Sequence, residues 1–373
     1  MKKEYILTNY NTIDARCIQI PKDSLKLNVV SLFSGGGGMD LGFVGDFHYL
    51  GEHYPENPFK IVFANDIFKQ AADIYEVNLK HPVERRDIKE LDLVKDFPEV
   101  KVDIVLGGFP CQTFSYSGKR GGLSDERGQL YLQMIRVIEH YRPKVFIAEN
   151  VDGIRNSRKN SKGENVNVSA LNVIISDFER HGYNVCYKVL TAADYGVPQL
   201  RRRVIIMGIR KDIGEADNLF FPKENFDETG SVTGRKWRTS EDGIDDLWDK
   251  LNDLSIPNHT VRDISNAKFY PGKKMQGNNR ILRHRPAPTI RAEHHGNIEA
   301  HYRTSKADEE DMTGWRRLSV RECARLQSFP DDFNFITSAS SAYKVIGNAV
   351  PPVMAWNIAR SVYYTLSKLE AAY

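Results

Sequence analysis

The sequence predicts an α/β protein built on a doubly wound, mostly parallel sheet, with a smaller irregular domain late in the chain. Three observations carry that expectation. Between Leu27 and Gly208, short Val- and Ile-rich runs alternate with amphipathic stretches. The runs are apolar at nearly every position, as strands covered by helices on both faces are. From residue 211 to 315 the alternation stops: an acidic stretch at 240–254 is followed by 271–303, which is basic and broken by Gly and Pro.

The predicted strands are 28–33 (NVVSLF), 60–65 (KIVFAN), 102–108 (VDIVLGG), 144–150 (KVFIAEN) and 203–209 (RVIIMGI), all read as buried parallel strands. Helices are predicted between them. In 67–80 Ala71, Tyr75 and Leu79 fall in step; 130–141 is a second; 169–182 is a third, closed by Gly182 as a C-terminal cap. Ser319-Val-Arg-Glu322 is a capping box that starts another helix. Pro351-Pro352 suits the first turn of a last one, over about 351–369. The acidic stretch 240–254 reads as a solvated helix or a linker.

In such sheets ligands sit beyond the carboxyl ends of the strands. Those ends carry FSGGGG (33–38), Asn65-Asp66, GGFPCQ (107–112) and Glu149-Asn150, which should line one cleft. The glycine run is either a bare turn or a loop that lets backbone approach a ligand. It misses the dinucleotide fingerprint, because counting from Gly35 and Gly37 the third glycine position holds Asp40; that disfavours a dehydrogenase. Asp66, at the end of the second strand, is placed to accept from ribose hydroxyls. Together the two point to an adenosine-containing cofactor.

Cys111 follows Pro110 at a strand end and precedes a polar, glycine-rich stretch suited to a moving lid, so it should face the cleft. Glu149 closes an apolar run and is either a helix cap or a carboxylate in a partly dry site, where a raised pKa suits a proton donor. Gln199, Arg201 and Arg203 alternate onto one side if extended, leaving Arg202 on the surface.

Composition excludes several classes. The chain has 373 residues, 41% hydrophobic and 27% charged, an ordinary globular balance. Net charge is +3, too weak to name a partner, so any nucleic-acid surface must be local. No apolar run approaches the ~20 residues of a membrane span, and the N-terminus lacks a signal-peptide core; a cytoplasmic protein without membrane attachment is expected. Four scattered cysteines without a CxxC pair argue against structural zinc or disulfides. The histidines between 284 and 301 fit no standard metal spacing, so no metal is expected.

Six segments, in order, resemble the cytosine carbon-5 DNA methyltransferases of bacterial restriction–modification systems. They are SLFSGGGGMDLGF (31–43), GGFPCQTFSYSG (107–118), AENV (148–151), QLRRR (199–203), RRLSVRECARLQSFPDDF (316–333) and YKVIGNAVPPVMAWNIA (343–359). The resemblance implies a Rossmann-like methyltransferase fold, S-adenosylmethionine as cofactor and double-stranded DNA as partner. It implies that Cys111 adds to carbon 6 of cytosine, making carbon 5 nucleophilic toward the methyl group. Glu149 would bond ring nitrogen 3 and the amine, Arg203 the carbonyl oxygen, and Arg201 would support the same pocket. The target base must be flipped out of the duplex. Segment 115–129 would close over it, with Ser117 and Arg127 touching DNA.

For the cofactor, the resemblance implies contacts from Phe33, Gly35, Gly37, Asp66, Asp87, Ile88, Pro110, Leu130 and Asn348. Ile67 stands where relatives place an aromatic, so adenine should meet an apolar side chain without stacking. The implied domains are an extension (1–26), a discontinuous catalytic domain (27–210 and 336–373) and a target-recognition domain (211–335). Specificity is expected in 260–315. Lys273 and Lys274 would meet phosphates, Arg283, Arg285 and Arg291 base edges, and Thr289-Ile290 resembles a recurring pair of that domain. A monomer is expected, serving beside a cognate restriction endonuclease without a stable complex. The alternatives are a transfer-RNA cytosine methyltransferase, whose late Cys-Phe-Thr is absent here, and an inactive DNA-binding homologue, disfavoured by Cys111, Glu149 and Arg203.

Overall fold

The computed structural model describes residues 11–110, 130–155, 169–264, 281–292 and 316–370, with the backbone alone at 158–159, 165–166 and 302–303. Six strands form the central sheet: β1 (Leu27–Leu32), β2 (Phe59–Asn65), β3 (Ile104–Gly107), β4 (Val145–Val151), β5 (Tyr183–Thr191) and β6 (Arg202–Arg210). Their spatial order is β5-β6-β4-β3-β1-β2. The pairs β2–β1, β1–β3 and β3–β4 are parallel, whereas β6 runs antiparallel to both β4 and β5. The expectation that 203–209 is a parallel strand is therefore corrected. After β4 the chain goes to the sheet edge to form β5, and β6 then fills the gap between β5 and β4.

β5 is the strand that the apolar runs do not reveal. As an edge strand it buries Tyr183, Val185 and Leu190 but leaves Asn184, Tyr187 and Lys188 half-buried, so its pattern is mixed. The interior strands instead alternate between two cores. Val29, Ile104, Ile147 and Ile205 face one core, packed by α1 (Gly38–Val44) and the C-terminal helix. Val30, Val105, Phe146 and Ile206 face the other, covered by α3 (Leu130–Tyr141) and α4 (Ala170–Arg180). Filling both faces is what demands apolar residues at successive positions. α2 (Lys69–Leu79) follows β2, and Ala72 and Tyr75 join the first core. Ser169 caps α4 by accepting from Asn172 N, and Gly182 follows its end at φ +91.

Beyond residue 211 the chain does not leave the first core at once. Phe220–Pro222 pairs in parallel with Asn11–Ile13, and Leu219 and Phe221 are buried. Ala15 is fully buried, and Arg360 donates to the carbonyls of Ala15 and Ile18. Residues 11–18 thus lie against the helix α7 (Pro352–Glu370).

A third core gathers Ile244, Ile281, Ala287, Ile290 and the aromatic trio Phe329, Phe333 and Phe335, with α5 (Val320–Leu326) and α6 (Ala339–Asn348). α5 opens with the expected box: Ser319 accepts from Glu322 N, and Glu322 accepts from Ser319 N. The acidic 240–254 stretch is neither a plain solvated helix nor a linker. A helix at Ser240–Ile244 runs into 3-10 turns to Lys250, and Ile244 and Leu247 are fully buried. No helix among the described residues is long and apolar enough to cross a membrane, and none of their His, Cys, Asp and Glu side chains gather as a metal site.

Asp40 sits under the glycine loop, 1% exposed, accepting from Ser31 Oγ at 2.8 Å and Tyr75 Oη at 2.6 Å. Burial raises its carboxyl from the usual 3.8 to about 6, against the pull of the two hydroxyls. A raised folded pKa favours the folded state at low pH, and that advantage is lost as pH rises from about 4 to about 6. The ionised group then costs on the order of 3 kcal/mol. Asp40→Asn should therefore change unfolding free energy more favourably at pH 7.5 than at pH 5, by about 1 kcal/mol, in urea titrations at both pH values. An identical change at the two pH values would refute the buried, titrating carboxyl.

Candidate active site

Four strand ends meet on one edge of the sheet. β1 runs into Phe33 and Gly35, both left-handed, at φ +54 and +55. Phe33 is a bulky residue where glycine is favoured, so the turn is held by its surroundings. Ser34 N donates to Asn65 O at 3.0 Å, and Gly35 N to Asp66 Oδ2 at 2.8 Å, which closes the β1 loop onto the end of β2. The other Asp66 oxygen accepts from Phe68 N at 2.8 Å. Burial pushes the Asp66 carboxyl up; the two amide donors, and Lys344 nearby, pull it back. Asn65 bonds the carbonyls of Glu84 and Arg86, bringing Asp87 and Ile88 alongside.

Phe33, Gly35, Asp66 and Ile67 thus lie together where the β1 and β2 loops join. A Cβ on Gly35 would meet nothing within 4 Å, so space lies over this loop. Ile67 leaves 65% of its surface exposed beside Asp66. Pro110 and Asn348 are exposed and Leu130 is half-buried. Gly37, also left-handed at φ +87, caps α1. Ile88 departs from the simple picture: its side chain is buried in the second core, and its carbonyl accepts from Arg136 at 2.6 Å. Asp87 accepts from Lys89 N at 3.0 Å.

The second half of the site is a charge pair. Glu149, at the end of β4, and Arg203, at the start of β6, stand diagonally across two antiparallel strands on the face of Ile147 and Ile205. Arg203 Nε meets Glu149 Oε1 at 2.7 Å, with each side chain about a tenth exposed. Burial drives the Arg203 pKa down, and the glutamate opposes it. A charge-assisted bond of this kind is strong in a dry site. Asn150 Nδ2 reaches Phe109 O at 3.2 Å, tying the end of β4 to the segment that leads to Cys111. Cys111, Ser117, Arg127, Lys273 and Lys274 lie outside the described residues.

The alternation of 199–203 is present: Gln199 and Arg201 are fully buried and Arg203 nearly so, while Leu200 and Arg202 are exposed. Arg202 meets Asp152 at 3.2 Å on the surface. Arg201 does not open into the cleft. Its guanidinium donates to the carbonyls of Ile290 (3.0 Å), Gly347 (2.8 Å) and Ala349 (2.8 Å). Gln199 accepts from Ile290 N and donates to Leu326 O and to Gln327 Oε1; Gln327 in turn donates to Ala349 O. The sequence reading misses Gln327 and Gly347. A Cβ on Gly347 would lie 2.2 Å from the carbonyl carbon of Arg291, so only glycine lets these backbones touch.

The predicted base readers divide. Arg283 bonds Glu241 at 3.1 Å and also Asp245, so its guanidinium is committed within the protein and it is withdrawn as a reader. Thr289 donates to Leu200 O at 2.8 Å, which fixes this segment beside the 199–203 stretch. Arg285 is exposed and Arg291 half-buried, and neither has a side-chain partner among the described residues.

Comparison with known proteins settles the family. The sequence profile of the C-5 cytosine-specific DNA methylases matches residues 27–363. The chain belongs to that family. It is 35% identical over 361 residues to the type II methyltransferase M.FnuDI of Fusobacterium nucleatum, a match covering 92% of this chain and 96% of the relative. It is 35% identical to M.BsuRI of Bacillus subtilis, covering 93% and 82%. Among solved structures, the Dnmt2 methyltransferase of S. pombe superposes with a TM-score of 0.61 at 20% identity, covering 92% of this chain and 99% of that one. The Entamoeba histolytica methyltransferase EhMeth gives 0.61 at 18%, covering 93% and 99%. The chain is a DNA cytosine-5-methyltransferase, and its methyl donor is S-adenosylmethionine. The open Gly35 loop, the Asp66 carboxylate and the bare Ile67 fit an adenosine group.

Arg201→Met removes three buried hydrogen bonds from a charged donor. Unfolding free energy should drop by at least ~2 kcal/mol, whereas Arg202→Met should stay within about 0.5 kcal/mol. Urea denaturation of both variants reads this, and equal losses would contradict the alternation.

Proposed function

We propose that this enzyme methylates carbon 5 of a cytosine flipped out of a specific duplex DNA site, through a covalent adduct of Cys111 to carbon 6. The observation that carries the reading is the buried Glu149–Arg203 pair at 2.7 Å, beside the strand end that leads to Cys111. Carbon 5 of cytosine is a poor nucleophile until a thiolate adds at carbon 6 and turns the ring into an enamine. Glu149 would place a proton at ring nitrogen 3 as charge develops there. Arg203 would donate to the carbonyl oxygen, and Glu149 keeps that guanidinium oriented before the base arrives. S-adenosylmethionine, when bound, supplies the electrophilic methyl group. A base must then take the proton from carbon 5 so that Cys111 can leave.

Duplex DNA would lie across the edge where β4 ends and the 285–292 segment begins. It would avoid the groove between residues 46–51, 241–246 and 331–332, where seven carboxylates outnumber the two arginines that pair with them, Arg283 and Arg325; the excess negative charge repels phosphate. The recognition role belongs to the part of 211–335 that packs in the third core rather than to Phe220–Pro222. Lys273 and Lys274 would meet phosphates and carry no sequence information. The names of relatives such as M.FnuDI, a type II methyltransferase, support a place in a restriction–modification system, protecting host DNA from a cognate endonuclease.

Duplex DNA carrying 5-fluorocytosine at the target should trap the wild-type enzyme as an adduct that survives denaturing electrophoresis, because fluorine cannot leave as a proton does. Cys111→Ala should form none while still binding S-adenosylmethionine. Active wild-type enzyme that gives no adduct would overturn the mechanism.

Arg285→Ala and Arg291→Ala should relax or shift the methylated site, each base contact being worth about 1–3 kcal/mol of discrimination. Arg283→Ala should lower stability and leave the site unchanged. Genome-wide methylation maps of the three variants decide this; an unshifted site in both Arg285→Ala and Arg291→Ala moves the readers elsewhere.

A further inference from the structure

Beside the 66–68 loop stands a cation that the sequence reading does not assign. Lys344 is exposed on α6, one turn before Asn348, and both stand on the side of the helix open to solvent. Its neighbour Val345 packs on Gly36 of the β1 loop, so this part of α6 is seated against the cofactor side of the sheet. Lys344 Nζ lies 4.2 Å from the centroid of the Phe68 ring. Phe68 is the N-cap of α2, and its amide is one of the two donors that orient Asp66. The ammonium group therefore touches the residue that positions the carboxylate.

We propose that Lys344 is a positioning residue of the cofactor pocket, bridging from α6 to the 66–68 loop so that Asp66 is presented to the ribose hydroxyls as an oriented acceptor. This rests on the assignment of Asp66 to the ribose. Two effects act together. The cation over the Phe68 face pins the loop to α6, which arrives late in the chain. The same charge opposes the burial that drives Asp66 toward its neutral form, acting in the same direction as the amides of Gly35 and Phe68. A neutral carboxyl accepts more weakly and carries a proton that competes for the site. Loss of Lys344 should thus weaken binding and move the pH at which binding fails upward.

Calorimetric titration of S-adenosylmethionine between pH 4.5 and 8 tests this, using wild type, Lys344→Met, Lys344→Arg and Asp66→Asn. Thermal unfolding of each variant confirms that it is folded. Titration of the ligand itself is common to all four, so differences between curves report the protein. Lys344→Met should bind about 3- to 10-fold more weakly at pH 7.5 and lose affinity at a higher pH than wild type as the solution is acidified. Lys344→Arg should restore both affinity and midpoint, since it keeps the charge and stacks on the ring. Asp66→Asn should bind weakly without that acid-side loss. If Asp66→Asn matches wild type, the ribose assignment fails and the Lys344 proposal with it. If Asp66→Asn behaves as stated but Lys344→Met keeps the wild-type affinity or midpoint, Lys344 alone is refuted.

Discussion

The buried guanidinium of Arg201 joins the parts of the molecule that must act together. Its three carbonyl acceptors belong to the 281–292 segment, at Ile290, and to the end of α6, at Gly347 and Ala349. Arg201 itself lies two residues before Arg203, which faces Glu149. A buried charge is costly unless its donors are met; here both terminal nitrogens of Arg201 meet backbone carbonyls from segments nearly sixty residues apart, while Nε finds no partner among the described residues. Gln199 and Gln327 extend the junction with bonds to Ile290, Leu326 and Ala349. Displacing any one of the three segments strands polar groups in the others. The start of β6, the 281–292 segment and the end of α6 are held in one geometry by that penalty.

Around this junction, the antiparallel β6 sets where the chemistry falls. Ligands collect at the carboxyl ends of parallel strands, and β1 through β4 all end on the same edge of the sheet. A sixth parallel strand would carry Arg203 to the opposite edge. Because β6 is reversed, its beginning stands beside the end of β4, and Arg203 comes diagonal to Glu149. The same reversal lets 199–201 continue off the edge toward the third core, where Gln199–Leu200 pairs with Ala287–Pro288. A single change of strand direction thus supplies an arginine to the site and a path to the recognition segment.

The cofactor side relies on local geometry more than on long-range packing. Gly35, Asp66 and Phe68 are linked by two hydrogen bonds within neighbouring loops, and Gly35 suits the left-handed φ of +55 at a point where nothing lies within 4 Å of an added Cβ. Asp40 beneath the loop shows the cost of such a site: a carboxyl is kept fully buried so that Ser31 and Tyr75 are tied to the start of α1. Charge is also sorted by position. A net +3 conceals a carboxylate-lined groove on one face and, at 285 and 291, arginines with no side-chain partner among the described residues.

What the sequence alone determined is whatever depends on near neighbours along the chain. The interior strands were legible because burial on two faces leaves an unbroken apolar run, as in VFIA before Glu149. The Ser319–Glu322 box and the Gly182 cap were legible because capping acts within four residues. The family and its cofactor were legible because six motifs keep their order. The tertiary structure decided what depends on direction and partners. β5 escaped notice because an edge strand is wet on part of its surface. Arg283 and Arg291 look alike in the sequence, yet Glu241 and Asp245 neutralise one of them. Arg201 and Arg203 lie two residues apart, and only the fold shows that one clamps carbonyls while the other meets Glu149. Hydrogen-bond partners distant in sequence leave no local trace, since either arginine satisfies the same pattern of polar and apolar positions.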